Sequence, residues 1–334
     1  MNIGKLPAHV LKGLLAKVKL DDRVVVGPEI GEDAAVVDYG ENLLVVKTDP
    51  ITFATERIGW YAVNINANDV AVMGADPKWF LASILVTPET SEETVERVFD
   101  DILGACEALG VSLIGGHTEI THGIDRPIVV GCMLGEVARD RLVRTSGARF
   151  GDSVILTKGI AIEGTAVLAR ELESRLIEAG AAPDTVARAK EYIADPGISV
   201  VAEARAVSSA VRVTSMHDPT EGGLATGLRE LATAANVGLI IEENTIRVLP
   251  ECRVICELLG LNPLGVIASG SLLVTVAPAD EADALAAIAS VGVDAVVIGR
   301  VTAPEEGLKL TGVEEAMDLP VFERDEIARV FEEE

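Results

Sequence analysis

The chain has 334 residues, of which 49% are hydrophobic and only 3% aromatic, and its formal net charge at pH 7 is −25. This length suits two domains of ordinary size, whose cores must be built mainly from aliphatic side chains. The strong negative charge argues against nucleic acid and against anionic membranes as partners, because both would repel the protein.

The first predicted element is an amphipathic helix within residues 1–19. Lys12 and Gly13 interrupt its apolar side, which excludes a signal-peptide core, and no apolar run elsewhere reaches the ~18 residues that span a bilayer. We therefore expect a cytoplasmic protein with no membrane partner. Strand-like and helical segments then alternate through the first half: strand 43–48, helix 56–73, strand 82–87, helix 91–109 and strand 127–137.

A cluster of turn residues at 145–152 breaks this alternation and predicts a domain boundary. We place the two domains at residues 1–147 and 148–334. The second half is predicted to contain strands 154–157, 211–215, 237–241, 272–276 and 295–298, and helices 164–179, 185–193, 200–210, 222–235, 250–259 and 280–290. Both halves are therefore predicted to be α+β.

Acidic side chains of the first half stand at the ends of predicted elements. Asp33 and Asp49 flank the first predicted strand, and Asp69 lies near the end of the first long helix. Asn64, Asn68 and Asp69 share one face of that helix, although Asn is a poor helix former. An exposed polar face is one account of this set. Hard oxygen ligands around a Mg²⁺–nucleotide complex explain it better.

The second half carries an imidazole and two carboxylates directly before a pair of glycines. His217, Asp218 and Glu221 lie where a predicted strand leads into a helix that begins at Gly222. Free N–H groups at such a helix start favour anions, and glycine allows a ligand to approach closely. A helix start capped by Thr220 or Asp218 is the alternative interpretation.

Several segments, in order along the chain, resemble the motifs of one known family. Segments 31–36, 68–75, 115–119 and 217–223 are similar to motifs of the AIR synthase (PurM-like) superfamily, and segments 256–264 and 269–273 most resemble its HypE branch. This resemblance implies a two-domain PurM-like fold, each domain a four-stranded mixed sheet with helices on one face. It also implies that the first domain binds ATP and forms a homodimer.

The resemblance extends to single residues, which we state as expectations. Catalytic roles are expected for His217, Asp218 and Glu221. Magnesium is expected at the carboxylates of Asp33, Asp49, Asp69 and Asp218. Contacts to ATP are expected at Gly31, Asp33, Ala34, Lys47, Thr48, Asn68, Gly115, Gly116, His117, Thr118 and Gly222. The sequence contains no P-loop, so the phosphates must be held in another way, and backbone N–H groups at the glycines are candidates. His117 departs from the acid of many relatives and is a poor magnesium ligand.

The expected reaction is phosphorylation by ATP of an oxygen on a small molecule or on a protein-carried carboxamide. HypE relatives dehydrate a thiocarboxamide on a C-terminal cysteine, whereas the last cysteine here is Cys256, so we do not expect this chain to carry that group itself. The resemblance suggests hydrogenase-maturation proteins as partners. A phosphotransferase similar to thiamine-monophosphate kinase and a non-enzymatic nucleotide-binding paralogue, acting as a maturation or regulatory partner, are the alternatives.

Overall fold

The computed structural model describes residues 8–29, 31–52, 54, 56–312 and 316–331. These residues form two compact units. The N-terminal unit comprises Leu20–Gly27 and Asp33–Leu142, and the C-terminal unit comprises the described parts of Met1–Lys19, Pro28–Glu32 and Val143–Glu334. The first helix, α1 (Ala8–Leu15), belongs to the C-terminal unit. No helix in the described ranges is long and apolar enough to cross a membrane.

The N-terminal unit contains a six-stranded mixed sheet and two long helices. Its strands follow the order β1–β2–β3–β6–β4–β5, in which only β4 and β5 pair in parallel. The strands are β1 (Val24–Val26), β2 (Ala35–Tyr39), β3 (Asn42–Ile51), β4 (Asp76–Val86), β5 (Ser112–Ile120) and β6 (Ile128–Ala138), and the helices are α2 (Ile58–Val72) and α3 (Glu92–Leu109).

Two glycines of β6 determine how closely α2 packs on this sheet. A Cβ atom added to Gly131 would lie 2.3 Å from Nδ2 of Asn66, and one added to Gly135 would lie 2.4 Å from a methyl group of Val70. Because α2 approaches this closely, almost every residue of the helix is buried. Helix α3 packs closely against α2 at Gly59. A Cβ atom added to Gly59 would lie 2.4 Å from the backbone oxygen of Val98.

The opposite face of the N-terminal sheet is apolar but only half-buried. Along β6, the residues that face α2, such as Met133, are buried. The residues between them, which face the other way, are only partly buried. We use the name open face for six of the apolar side chains of this side, Leu44, Val46, Leu81, Leu85, Val130 and Leu134. The expected arrangement of helices on one face therefore holds for the N-terminal unit.

The C-terminal unit contains a seven-stranded mixed sheet in the order β13–β12–β9–β11–β7–β10–β8, in which only β9 and β12 pair in parallel. Its strands are β7 (Ser153–Thr157), β8 (Val213–His217), β9 (Gly238–Glu242), β10 (Leu273–Val276), β11 (Ala295–Thr302), β12 (Leu308–Thr311) and β13 (Met317–Asp318). Its further helices are α4 (Ile162–Glu171), α5 (Glu173–Glu178), α6 (Pro183–Lys190), α7 (Val201–Ala210), α8 (Gly223–Ala235), α9 (Pro250–Leu259), α10 (Glu281–Ser290) and α11 (Glu326–Phe331).

Helices cover both faces of this second sheet, which corrects the expectation of one covered face. Val154 and Leu156 of the central strand β7 share a core cluster with Leu228 of α8. Alternate residues of a strand point to opposite faces. Ser153 accordingly donates a 2.7 Å hydrogen bond to Glu281 of α10 on the other face. Since β7 is buried along its whole length, both faces need a helical layer. The two sheets also hold six and seven strands, not four each. The broader prediction of two mixed α+β sheets is confirmed.

Candidate functional site

Charged residues of the N-terminal unit gather where the apolar row of β3 ends. Leu43 and Val45 face α2 and are buried, and the next two residues on that face are Lys47 and Asp49. Lys47 Nζ lies 3.3 Å from Oδ1 of Asp69 on α2 and 3.5 Å from Oδ2 of Asp49. The sheet face thus changes from a hydrophobic core to a charged pocket within two residues.

Asp69 is the most perturbed carboxylate of this group. Only 6% of its side chain is exposed, and burial raises the pKa of Asp69 to about 7. Lys47 opposes this increase, whereas the neighbouring carboxylates of Asp33 and Asp49 add to it. Oxygens of Asp33 and Asp69 lie within 4.8 Å of each other, and Oδ2 of Asp69 has no hydrogen-bond partner in the described part of the chain. We use the name acid cluster for Asp33, Asp49 and Asp69.

The acid cluster fits a hard divalent cation. Carboxylate oxygens are the ligands that Mg²⁺ prefers, and a buried carboxylate oxygen without a donor is suited to coordinate it. Lys47 alone does not neutralise three acids, so a divalent cation would lower the pKa of Asp69 and favour its ionised form. The structure therefore brings three of the four predicted magnesium ligands together. The assignment of Asp218 to the same ion stays a prediction.

The asparagines of α2 are buried, which excludes the alternative of an exposed polar face. Asn64 Nδ2 donates to the backbone oxygen of Trp60 at 2.9 Å. Asn66 Nδ2 lies 2.8 Å from the oxygen of Ala62 and 3.3 Å from the oxygen of Asp49. Asn66 therefore links α2 to β3 beside the acid cluster, a role that the sequence did not indicate. Asn68 is also fully buried, and its predicted contact to ATP stays a prediction.

Thr48 and Ala34 lie next to the acid cluster in the chain but have different surroundings. The hydroxyl of Thr48 donates to the backbone oxygen of Gly131 at 2.8 Å, and its side chain belongs to the face opposite α2. Ala34 is buried directly before β2. Their predicted contacts to ATP stay predictions.

The glycine-containing segment 115–118 forms part of an edge strand. Gly115, Gly116, His117 and Thr118 all lie in β5 and are exposed. Gly116 and Asp49 stand at the same height in the sheet, because Gly116 pairs with Ala82, Ala82 with Gly131 and Gly131 with Asp49. Three strand spacings, or roughly 14 Å, therefore separate Gly116 from Asp49. His117 pairs with the exposed Ser83, so its side chain lies on the face opposite α2, where its Nε2 is 3.4 Å from Glu119.

In the C-terminal unit, the predicted catalytic residues follow strand β8. His217 is 4% exposed, and its Nε2 lies 3.0 Å from Oε2 of Glu230 on α8. Asp218 is 1% exposed, and Glu221 is half-buried. We use the name motif turn for residues 218–222, which connect β8 to α8. Glu230, 13 residues from His217, is an imidazole partner that the motif alone did not reveal.

The N–H group of Gly222, which was predicted to bind phosphate, donates a 2.6 Å hydrogen bond to Asp325. The anion at the start of α8 is therefore a carboxylate of the chain itself. Binding of phosphate by Gly222 stays a prediction, and it requires Asp325 to release this N–H group.

Gly31 packs against the far end of α8. It adopts a φ of 90°, and an added Cβ would lie 2.9 Å from the side chain of Ala234. The next residue, Glu32, has a buried side chain that accepts hydrogen bonds from Arg144, Thr145 and Ser146. This acid of the first motif thus has a structural role, in holding the segment that precedes β7.

Comparison with known proteins identifies both parts of the chain. The family described as AIR synthase related protein, N-terminal domain, matches residues 31–137, and the corresponding C-terminal domain matches residues 149–310. A putative hydrogenase expression/formation protein of Methanocaldococcus jannaschii is 29% identical over 95% of both chains. The carbamoyl dehydratase HypE of Rhizobium leguminosarum is 30% identical over 90% of this chain and 85% of its own. The carbamoyl dehydratase HypE of Cupriavidus necator is 34% identical over 73% of this chain and 68% of its own.

Solved structures confirm the predicted PurM-like fold. HypE in complex with ATP has a TM-score of 0.74 at 23% identity, covering 90% of this chain and 92% of its own. A HypE–HypF complex has a TM-score of 0.77 at 20% identity, covering 95% of this chain and 100% of its own. Thiamine monophosphate kinase from Aquifex aeolicus has a TM-score of 0.66 at 21% identity, covering 93% and 97%.

Proposed function

Because this chain belongs to the AIR synthase related family and resembles its HypE members, we propose that it binds ATP together with Mg²⁺ and phosphorylates an oxygen of its substrate. The observation that carries this proposal is Asp69, a buried carboxylate beside two further acids and one lysine, one of whose oxygens has no hydrogen-bond donor among the residues that the structure describes. A HypE structure with bound ATP supports the choice of nucleotide.

The residues of the acid cluster would hold the metal ion. Bound Mg²⁺ would neutralise charge on the nucleotide phosphates and orient them. Lys47 lies beside the same carboxylates and can contact a phosphate as a point charge. Asn66, through its bond to the backbone of Asp49, keeps β3 and α2 at the spacing that these ligands require.

In the proposed reaction, an oxygen of a carboxamide or carboxylate-like group attacks the γ-phosphorus of ATP. A new O–P bond forms, the bond to the β-phosphate oxygen breaks, and ADP leaves with that oxygen. Nε2 of His217 lies 3.0 Å from Oε2 of Glu230, which orients the imidazole ring. For a carboxamide, we assign to His217 the acceptance of the proton that the nitrogen loses as the oxygen is phosphorylated, and to Asp218 and Glu221 the orientation of the attacking group.

The cysteines of this chain are poorly suited to carry the substrate. Cys106, Cys252 and Cys256 are buried within helices, and Cys132 is half-buried within β6. Burial raises the pKa of the Cys106 thiol to about 11 and also raises the pKa of Cys132, which disfavours their thiolates. The substrate we propose is therefore a small molecule or a carboxamide carried by another protein. The HypE–HypF complex makes a hydrogenase-maturation protein our choice of partner.

Calorimetry with ATP tests the proposed function directly. We expect binding in the presence of Mg²⁺ and at least about tenfold weaker binding after chelation, because phosphate charge would then meet bare carboxylates. Asp38→Asn is a matched control, since Asp38 lies in the same unit but pairs with Arg139 outside the acid cluster. Equal heats with and without Mg²⁺, or no heat, would contradict the proposal.

Analysis of the product by phosphorus NMR separates this function from its alternatives. A substrate that is dehydrated after activation yields ADP and inorganic phosphate, whereas a thiamine-monophosphate-kinase-like enzyme yields ADP and a phosphorylated product. Binding of ATP without turnover in the presence of a maturation partner would instead favour the non-enzymatic paralogue.

We further propose that the open face of the N-terminal sheet joins two copies of the chain. Half-exposed aliphatic side chains from three adjacent strands form a continuous apolar surface, which is unusual unless a partner covers it. Leu134→Arg, in the middle of this face, is expected to convert a dimer into a monomer, because it would bury two charges at the symmetric contact.

Light scattering measures this effect. Ile177→Arg is the matched control, since Ile177 is an exposed apolar residue of α5 in the other unit. We expect the control to stay dimeric. A wild-type protein that is monomeric at micromolar concentration would refute the proposed dimer.

A further inference from the structure

A single buried carboxylate connects three separate segments of the C-terminal unit. Asp325 is 1% exposed and lies directly before α11. Its Oδ2 accepts the N–H of Gly222 at 2.6 Å, and its Oδ1 accepts the N–H groups of Ile267 at 3.2 Å and Ile327 at 2.9 Å. These donors belong to the motif turn, to the loop before β10 and to α11.

The motif turn depends on such external contacts for its conformation. Gly222 and Gly223 adopt φ values of 82° and 67°, in the left-handed region where glycine has the greatest freedom. A Cβ on Gly223 would lie 2.5 Å from the backbone oxygen of Leu264, so the turn rests directly on the loop before β10. The N–H of Ala268 donates to the oxygen of Thr220 at 3.2 Å and adds a second link to the same loop.

The surroundings of Asp325 show that a charged group is held here at an energetic cost. Burial raises the pKa of Asp325 to about 6, the three N–H groups oppose this increase, and the carboxylate of Glu221 adds to it. Burying a charged acid is costly unless hydrogen bonds compensate for the lost water, and here three backbone N–H groups supply them. The backbone it fixes is the one that presents the candidate catalytic side chains.

We propose that Asp325 is a positioning residue, whose carboxylate fixes the motif turn so that His217, Asp218 and Glu221 keep one orientation towards the substrate. This inference rests on the proposed function, because it assigns the turn to the reacting group. Asp325 acts through the N–H of Gly222 and itself need not contact nucleotide or substrate.

The test compares Asp325→Asn with Glu326→Gln. Glu326 is the neighbouring acid on α11 and accepts the N–H of Asn262, so its variant removes the charge from a similar contact that does not involve the motif turn. We expect Asp325→Asn to speed hydrogen exchange of the turn about tenfold and to lower kcat about tenfold, with the KM for ATP changed by less than about threefold. Glu326→Gln should leave the exchange of the turn and kcat within about twofold of wild type.

A conservative variant keeps the test decisive if Asp325→Asn does not fold. Asp325→Glu retains the charge but shifts the carboxylate by one methylene, so we expect exchange and kcat between those of wild type and Asp325→Asn. The inference would be overturned if hydrogen exchange of the motif turn in Asp325→Asn and Asp325→Glu equals that of wild type. It would also be overturned if this exchange is faster while kcat is unchanged. If the wild-type protein shows no nucleotide turnover, the proposed function fails. In that case, hydrogen exchange of the motif turn in the Asp325 variants still tests whether Asp325 fixes this turn.

Discussion

Replacing Asp69 by Asn is expected to stabilise the metal-free protein at pH 8 and, at the same time, to abolish its response to Mg²⁺. The folded-state pKa of Asp69 is about 7, above its usual value of 3.8, so the folded protein binds this proton more tightly than the unfolded chain. Its contribution to stability is therefore lost as the pH rises through about 7. At pH 8 the buried charge opposes folding, and the amide removes that charge while keeping the shape of the side chain.

The expected gain is roughly 4 kcal/mol in the free energy of unfolding at pH 8 in a chelator and about a third of that at pH 5, because the unfolded chain already ionises above about pH 4. Addition of Mg²⁺ and ATP should stabilise the wild-type protein and not the variant, whose affinity for Mg²⁺–ATP falls about 100-fold. Thermal denaturation at both pH values measures these effects. The idea fails if Asp69→Asn is less stable than wild type at pH 8 without metal, or if it still responds to Mg²⁺. Asp38→Asn should retain the full response.

Gly131→Ala is expected to cause a large loss of stability in the N-terminal unit. The added Cβ would lie 2.3 Å from Nδ2 of Asn66 and 2.8 Å from the ring of Phe80, both within a packed core. Overpacking of this kind costs roughly 1–3 kcal/mol or more, because α2 has to move away from β6. The same movement would pull Asn66 from the backbone of Asp49 and so weaken binding of Mg²⁺–ATP.

Gly115→Ala is the matched control for this change. Gly115 also lies in a strand of the same sheet, but its added Cβ would meet only a methyl group of Leu81 at 3.8 Å. Urea denaturation should therefore show a much smaller change for Gly115→Ala. Equal stabilities of the two variants would show that the approach of α2 to β6 does not constrain position 131.

The bounds of some helices could be predicted closely from the sequence. Helix α9 has the predicted bounds, and α2 lies within its predicted range. The predicted helix 164–179 is in fact two helices, α4 and α5, which meet at Leu172 without a proline or glycine to mark the break. Strand β5 was missed because its two glycines and polar residues show no alternation, and its edge position leaves all but one of its side chains exposed.

Short-range motifs identified the acids of the site but not the contacts that hold them. Asp33, Asp49 and Asp69 stand at element ends, which is a local property of the sequence, and the fold brings them together as expected. Asp325 is 103 residues from Gly222, and Asn66 reaches β3 across the core, so no motif contains either contact. Such contacts depend on tertiary packing, which spacing along the chain does not encode.

The path of the chain has a consequence for attempts to divide this protein. The described residues of segment 28–32 belong to the C-terminal unit, although those of 20–27 before it and of 33–142 after it belong to the other unit. A fragment that begins at Val143 would lack Gly31, which covers α8 at Ala234, and Glu32, which accepts three hydrogen bonds. Residues 143–334 alone therefore do not make up the complete C-terminal unit. Recombination that exchanges one half between relatives would have to carry this short segment with the C-terminal half, although it lies in the N-terminal part of the sequence.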